Sequence, residues 1–344
     1  MPYVVQSSEK VRGIGADYET KAMLYLMNCR DDSYEINFFA IDFYNDVTGL
    51  NVHADKAWDV QSKGTKSTSA KGIGRELVTL FKNEMSDLNF DYLILFMADV
   101  PETFRTDATL TTFGIDNIKD KALKCVRQGL IDEANKRKRS YIDAAWITDE
   151  NIDGFLRKVT FVIDDKSKAD YIKGIMSINP KYIPNDNVLD GIFNKIRDAQ
   201  AGKKNNESVE GEMVSRLRDV FYYDRILKSK EIRLMVLNTF INHDVMNTPA
   251  PQSFYQLLHR FDGLKQKDIV EDCKLQISRL LYDKTYTDEF WELLDLICGV
   301  VADNKSITVK QTFDIISDRD AVKNPRLDDY TVQYLISVMK EALL

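Results

Sequence analysis

The chain has 344 residues, 44% of them apolar and 29% charged, with a formal charge of −7. That composition is globular and long enough for two domains, and its acidic sum excludes a protein coated in positive potential. No run of about eighteen apolar residues occurs, which excludes an apolar membrane-spanning helix.

The start, Met1-Pro2-Tyr3-Val4-Val5-Gln6, has neither a basic n-region nor an apolar h-region, so a cytoplasmic protein is expected. Cys29, Cys125, Cys273 and Cys298 are far apart and form no CxxC pair, so neither a zinc knuckle nor a disulfide framework is expected.

Residues 15–30 carry Tyr18, Ala22, Leu24, Tyr25, Leu26 and Met27, a broad apolar face that predicts a helix buried on a sheet. Glu19 falls in its expected first turn, where the helix dipole favours an acid. Strands are expected at 34–42, 46–52 and 57–63. Ser67-Thr68-Ser69 offers caps for a helix over 70–87. Residues 90–97 are almost continuously apolar and read as a strand covered on both faces. A helix over 117–138 and a strand at 159–163 complete a mixed α/β core.

Beyond residue 166 the strand signals fade. Helices are expected at 171–178 and 188–199. The polar stretch Ala201-Gly202-Lys203-Lys204-Asn205-Asn206-Glu207-Ser208 reads as a linker. After it, three-to-four-residue periodicity predicts helices at 212–221, 230–241, 252–260, 267–282, 287–301, 308–316 and 328–343. The expected division is an α/β domain over 1–200, a linker over 201–211 and an all-α domain over 212–344.

The chemistry concentrates on the third strand. Alternation places Asp59, Gln61 and Lys63 on one face and Trp58, Val60 and Ser62 on the other. Three polar side chains on one face between apolar stretches are costly to bury unless they bind something. An acid, a hairpin, then an acid or amide, one residue and a lysine suits a divalent cation, which needs hard oxygen ligands close to an attacked phosphodiester. Asp46 supplies a carboxylate and Gln61 an uncharged amide oxygen. Lys63 orients the attacking water and offsets phosphate charge, and Glu19 reaches the metal's water shell. Taken singly these are ordinary residues: a turn aspartate, a helix glutamate and a surface lysine. Asp42, four residues before Asp46, and Asp59, on the face of Gln61, stay open as alternative ligands.

From Lys63 to Arg75 the chain carries Lys63, Lys66, Lys71 and Arg75 without an acid, threaded through Gly, Ser and Thr. Phosphate is the natural partner of that mixture, so Lys66, Lys71 and Arg75 are candidate DNA contacts. Lys136-Arg137-Lys138-Arg139 reads as a solvated helix end. Gly72 and Gly74 read as close-packing points, and Cys29, Cys125, Tyr222 and Tyr223 as core.

The order Glu19, Asp46, Gln61-Ser62-Lys63 resembles the PD-(D/E)xK nucleases, and within them the Mrr-like branch in which glutamine replaces the second acid. Gly15-Ala16-Asp17-Tyr18-Glu19 and Phe155-Leu156-Arg157-Lys158-Val159-Thr160-Phe161 are similar to the double-stranded-DNA endonuclease domain of bacterial antiviral defence effectors. That domain occurs in CD-NTase-associated endonucleases and in the nuclease subunit of Lamassu-type systems. The resemblance spans about the first 200 residues. It implies a restriction-endonuclease-like core and cleavage of duplex DNA dependent on Mg²⁺ or Mn²⁺. Asp46, Gln61 and Glu19 would hold the metal and Lys63 would act beside it. It also implies a defence partner, an SMC-type ATPase, that holds the nuclease inactive. Cutting both strands needs two sites, so homo-oligomerisation on activation is expected. The contrasting reading is a subunit that keeps the fold, binds DNA or scaffolds partners, and has little or no turnover. It rests on Gln61, because one fewer carboxylate weakens a metal site.

Overall fold

The computed structural model describes residues 3–6, 13–64, 69–136, 142–176, 178–206, 208–282, 284–304, 306–319 and 322–343. The strand expected at 57–63 forms with those bounds as β4 (Ala57–Lys63), the middle strand of seven. Before it come β1 (Tyr3–Val4), α1 (Gly13–Asn28), β2 (Phe38–Ile41) and β3 (Val47–Leu50). After it come α2 (Ala70–Glu76), α3 (Val78–Glu84), β5 (Tyr92–Met97), β6 (Thr112–Phe113), α4 (Asp120–Ala134), α5 (Asp149–Lys158) and β7 (Val159–Ile163). The sheet order is β6-β7-β5-β4-β3-β2, closed at the far edge by β9 (Ile226–Lys228).

Two kinds of connection explain that order. β2, β3 and β4 are antiparallel neighbours joined by short loops, whereas β4, β5 and β7 are parallel and need helical crossovers. The β2–β3 loop turns through Asp42, which takes the left-handed conformation at φ 48°. α1 lies on β3 and β4. There Gly49 leaves room for Leu26 and Ile36, which stand 3.2 and 3.1 Å from where a Cβ would be. The opposite face of β4 meets α3 through Asn83 and Thr79. Behind α3, α2 and α4 touch backbone to backbone. A Cβ on Gly74 would fall 1.8 Å from the Val126 carbonyl oxygen, and one on Gly129 would fall 2.0 Å from that of Lys71. Trp58, Val60, Ile94, Leu95 and Phe96 are wholly buried, so β4 and β5 are covered on both faces.

Contacts divide the chain into two compact units, Met1–Ser167 with Ile196–Lys228, and Lys168–Lys195 with Ser229–Leu344. This differs from a boundary at 201–211. The stretch read as a linker begins inside α7 (Asp186–Asn205), whose two ends are counted in different units. The helix expected at 212–221 is instead β8 (Met213–Val214), paired with β1, and a 3-10 helix over Leu217–Tyr222. β9 then takes the free edge of β2. An unpaired sheet edge gains hydrogen bonds from any chain that reaches it, and that overrides the local helical spacing.

The second unit holds α6 (Lys168–Lys173), the start of α7, α8 (Ser229–Phe240), α9 (Gln252–Leu257), α10 (Gly263–Tyr282), α11 (Lys284–Asp303), α12 (Val309–Ile316) and α13 (Asp329–Leu343). Its core is Phe254, Phe290, Trp291 and Tyr334, all fully buried. The coarse expectation, a mixed α/β sheet core flanked by helices and followed by a largely helical region, is what the chain forms. The helix expected at 70–87 is broken at Leu77, whose amide donates to the Gly74 carbonyl three residues back. α5, ahead of β7, is an element the periodicity did not mark. Cys29 and Cys125 are exposed rather than core, and Tyr222 is 82% exposed. Among the described residues no helix is long and apolar enough to cross a membrane.

Candidate active site at the end of the central strand

β3 stops at Val47, opposite Val60, so the Ser62 amide of β4 has no β3 carbonyl to meet. The Asp46 side chain takes that place. Its Oδ2 accepts from Ser62 N at 2.8 Å, Ser62 Oγ at 2.9 Å and Gln61 Nε2 at 2.7 Å. A carboxylate is an acceptor only, so the Gln61 amide must turn its nitrogen to Asp46 and its oxygen away. That oxygen accepts from Thr79 Oγ1 at 2.6 Å. The structure therefore brings Asp46 and Gln61 together but points the amide oxygen elsewhere.

Glu19 arrives from α1. The helix begins at Gly13, so Glu19 sits in its second turn and not the first, beyond the strongest reach of the dipole. It meets Lys204, from the last turn of α7, at 3.3 Å. The same ammonium lies 3.6 Å from Asp42, and Asp42 lies 3.6 Å from Arg225. Burial pushes Glu19 up to about 7, Asp46 adds to the rise, and Lys204 opposes it. Burial likewise pushes Asp46 up to about 6, against the Ser62 hydrogen bonds and Lys204. Burial works against the Lys204 charge, yet Glu19, Asp42 and Asp46 outweigh it and hold its pKa above the ordinary value. Three carboxyls and two cations thus share one buried cluster.

Asp59 lies on the Gln61 face but belongs to a different environment. It is wholly buried and accepts from Thr48 Oγ1 at 2.8 Å, Asn83 Nδ2 at 2.7 Å and Asn45 Nδ2 at 3.2 Å. Burial pushes it up to about 6. Lys63 is not buried; its side chain is 38% exposed and pairs with Glu76 of α2 at 3.0 Å. Of the candidate DNA contacts, Lys66 lies outside the described residues, as do three of the four bases at 136–139. Lys71 pairs with Asp132 at 2.5 Å, and Arg75 is exposed.

As arranged, these residues do not fit a divalent cation. Asp46 Oδ2 already takes three hydrogen bonds, the Gln61 oxygen faces Thr79, and Glu19 faces an ammonium. Among the described residues no three His, Cys, Asp or Glu side chains are grouped to hold a metal ion. What the cluster can do is store compensated charge and exchange protons near neutrality, through Glu19 and Asp46. Lys204 and Arg225 were not singled out from the sequence. The available signal was the spacing of Ile196, Gln200 and Lys204, which puts them on one helix face. Gln200 on that face accepts from Thr20 of α1 at 2.8 Å, one residue from Glu19. Comparison with protein-family models, with curated proteins and with solved structures gives no match for this chain.

Proposed function

We propose that the first unit is a nuclease-fold, DNA-binding scaffold subunit with little or no phosphodiester-cleaving activity. One observation carries this: the Lys204 ammonium stands among Glu19 and Asp42, and acts on Asp46, where a metal-dependent nuclease needs its cation. A divalent ion would have to displace that ammonium and also turn the Gln61 amide. The order Glu19, Asp46, Gln61-Ser62-Lys63 supports kinship with the Mrr-like PD-(D/E)xK nucleases. Exposed Arg75, on a helix that follows the central strand, supports contact with a phosphate backbone.

The test is incubation of the purified chain with supercoiled plasmid in Mg²⁺, Mn²⁺ or EDTA, beside duplex binding followed by fluorescence anisotropy. Binding without metal-dependent nicking is expected. Metal-dependent nicking that disappears in Lys63→Ala overturns the reading.

A second reading is a metal-dependent duplex-DNA endonuclease of a prokaryotic antiviral defence system, held inactive by an SMC-type ATPase. Lys204 favours it in one respect, because an ammonium at the end of a helix is a plug that a partner could withdraw. That reading expects cleavage by the chain only when its partner proteins are added.

A further inference from the structure

In the first unit β8 pairs with β1 along one edge, and among the described residues no strand takes its other edge. The Val5 amide donates to the Glu212 carbonyl, so the alternation of an antiparallel ladder makes Tyr3 and Val214 the next bonding pair. The Met213 amide and carbonyl then face the open edge. Val4, opposite Met213, shows the same alternation from its own side, since its carbonyl leaves the ladder and accepts from Lys82. Among the described residues no main-chain bond outside the sheet uses Met213, and its side chain is 70% exposed. The 3-10 helix over Leu217–Tyr222 packs beside this strand. Its Leu217 and Val220 are buried, which leaves Arg218 and Phe221 eclipsed on the outer side, next to exposed Tyr222. Phe221 meets Phe38 edge to face at 5.0 Å between ring centroids, so its place is fixed.

We propose that two copies of this chain pair here, β8 against β8, about a two-fold axis at Met213. Exposed methionine, phenylalanine, tyrosine and arginine side by side have the composition of an interface core. Charge selects the occupant. Glu210 and Glu212 precede Met213, Arg216 and Arg218 follow it, and all four are exposed. Antiparallel pairing about Met213 lays the acidic side of each copy along the basic side of the other, so the face is complementary to itself. A partner of one sign meets repulsion on one side of Met213 or the other. Arg216 already pairs with Asp219, and Glu212 accepts from the Tyr223 hydroxyl, so Arg218 and Glu210 are the charges to test. The pairing is independent of whether the first unit cleaves DNA.

The experiment is sedimentation velocity of the full chain from about 1 to 100 μM at about 0.15 M salt, the range in which a small interface associates. A concentration-dependent dimer is expected, weakened about tenfold or more by Met213→Lys, which puts a charge on the edge, and by Tyr222→Ser. Glu210→Arg and Arg218→Glu should each weaken self-association. An equimolar mixture of those two variants should dimerise again, because every contact across the axis then joins opposite charges. With the exposed Cys29 and Cys125 replaced by Ser, Met213→Cys should oxidise to a covalent dimer, since the axis sets the two Cα atoms about 5.5 Å apart. A chain that stays monomeric throughout, a dimer indifferent to Met213→Lys, or a Met213→Cys protein that does not cross-link overturns the proposal. A monomer whose duplex binding is lost in Tyr222→Ser overturns it too, and assigns the face to nucleic acid.

Discussion

Asp59 and Asp46 lie close together around the central strand, are both buried, and are both pushed up to about 6 by that burial. Their surroundings differ in kind. Asp59 is held by a hydroxyl and two amides, all neutral, from Thr48, Asn45 and Asn83. Asp46 is held by the strand it caps and shares its field with Glu19, Lys204 and Asp42. The Asp59 pocket, whose hydrogen-bond donors are all neutral, fixes packing, and the charge it exchanges is that of Asp59 itself, in the field of Asp46. A pocket of acids and bases at the end of a strand has charge that a ligand or partner can rearrange. Burial and a raised pKa are common to both, so neither property separates a site from a core.

The largest test of that contrast is Asp59→Ala. It strands three buried donors and opens a cavity, so urea unfolding should show a loss of about 3 kcal/mol. Asp46→Ala, which also relieves repulsion with Glu19, should lose only about 1–2 kcal/mol. Equal losses would remove the distinction. Next in size is Lys204→Ala, which leaves Glu19, Asp42 and Asp46 without their shared ammonium. A loss of about 2 kcal/mol is expected above neutral pH, shrinking in acid as Glu19 and Asp46 take up protons.

The pH profile sharpens the comparison further. Asp59, Asp46 and Glu19 bind protons more tightly folded than unfolded, since their folded values of about 6, 6 and 7 exceed the ordinary 3.8, 3.8 and 4.5. Their contribution to stability is therefore greatest in acid and falls as pH rises through about 4 to 7. Lys82 has the opposite sign. Burial lowers it from 10.5 to about 7, so its unfavourable charge is shed, and stability regained, as pH rises above 7. Chemical denaturation across pH should thus show a minimum near neutrality. Asp59→Asn should flatten the acid limb while leaving DNA binding unchanged. The smallest effect is that of Lys63→Ala. Its pair with Glu76 is part-exposed and screened, so less than about 1 kcal/mol is expected.

The strands at 57–63 and 159–163 were legible because their alternating and apolar patterns are local. The order of Glu19, Asp46 and Gln61 was legible for the same reason, and the fold does gather them. Three things were not. The orientation of the Gln61 amide depends on Thr79, eighteen residues on in another element. β8 and β9 are strands of two and three residues that exist through partners on β1 and β2, far back in the chain. Lys204 sits in a polar stretch that looks like a linker, because the apolar anchors of its helix, Leu189, Ile192, Phe193 and Ile196, all lie upstream.

The most direct test of the Lys204 account is calorimetric titration of the full chain with Mn²⁺ at neutral pH, without DNA. No saturable site is expected in the wild type, and one should appear in Lys204→Ala, where the carboxyls lose their internal cation. A saturable Mn²⁺ site in the wild type, abolished by Asp46→Asn, would contradict it.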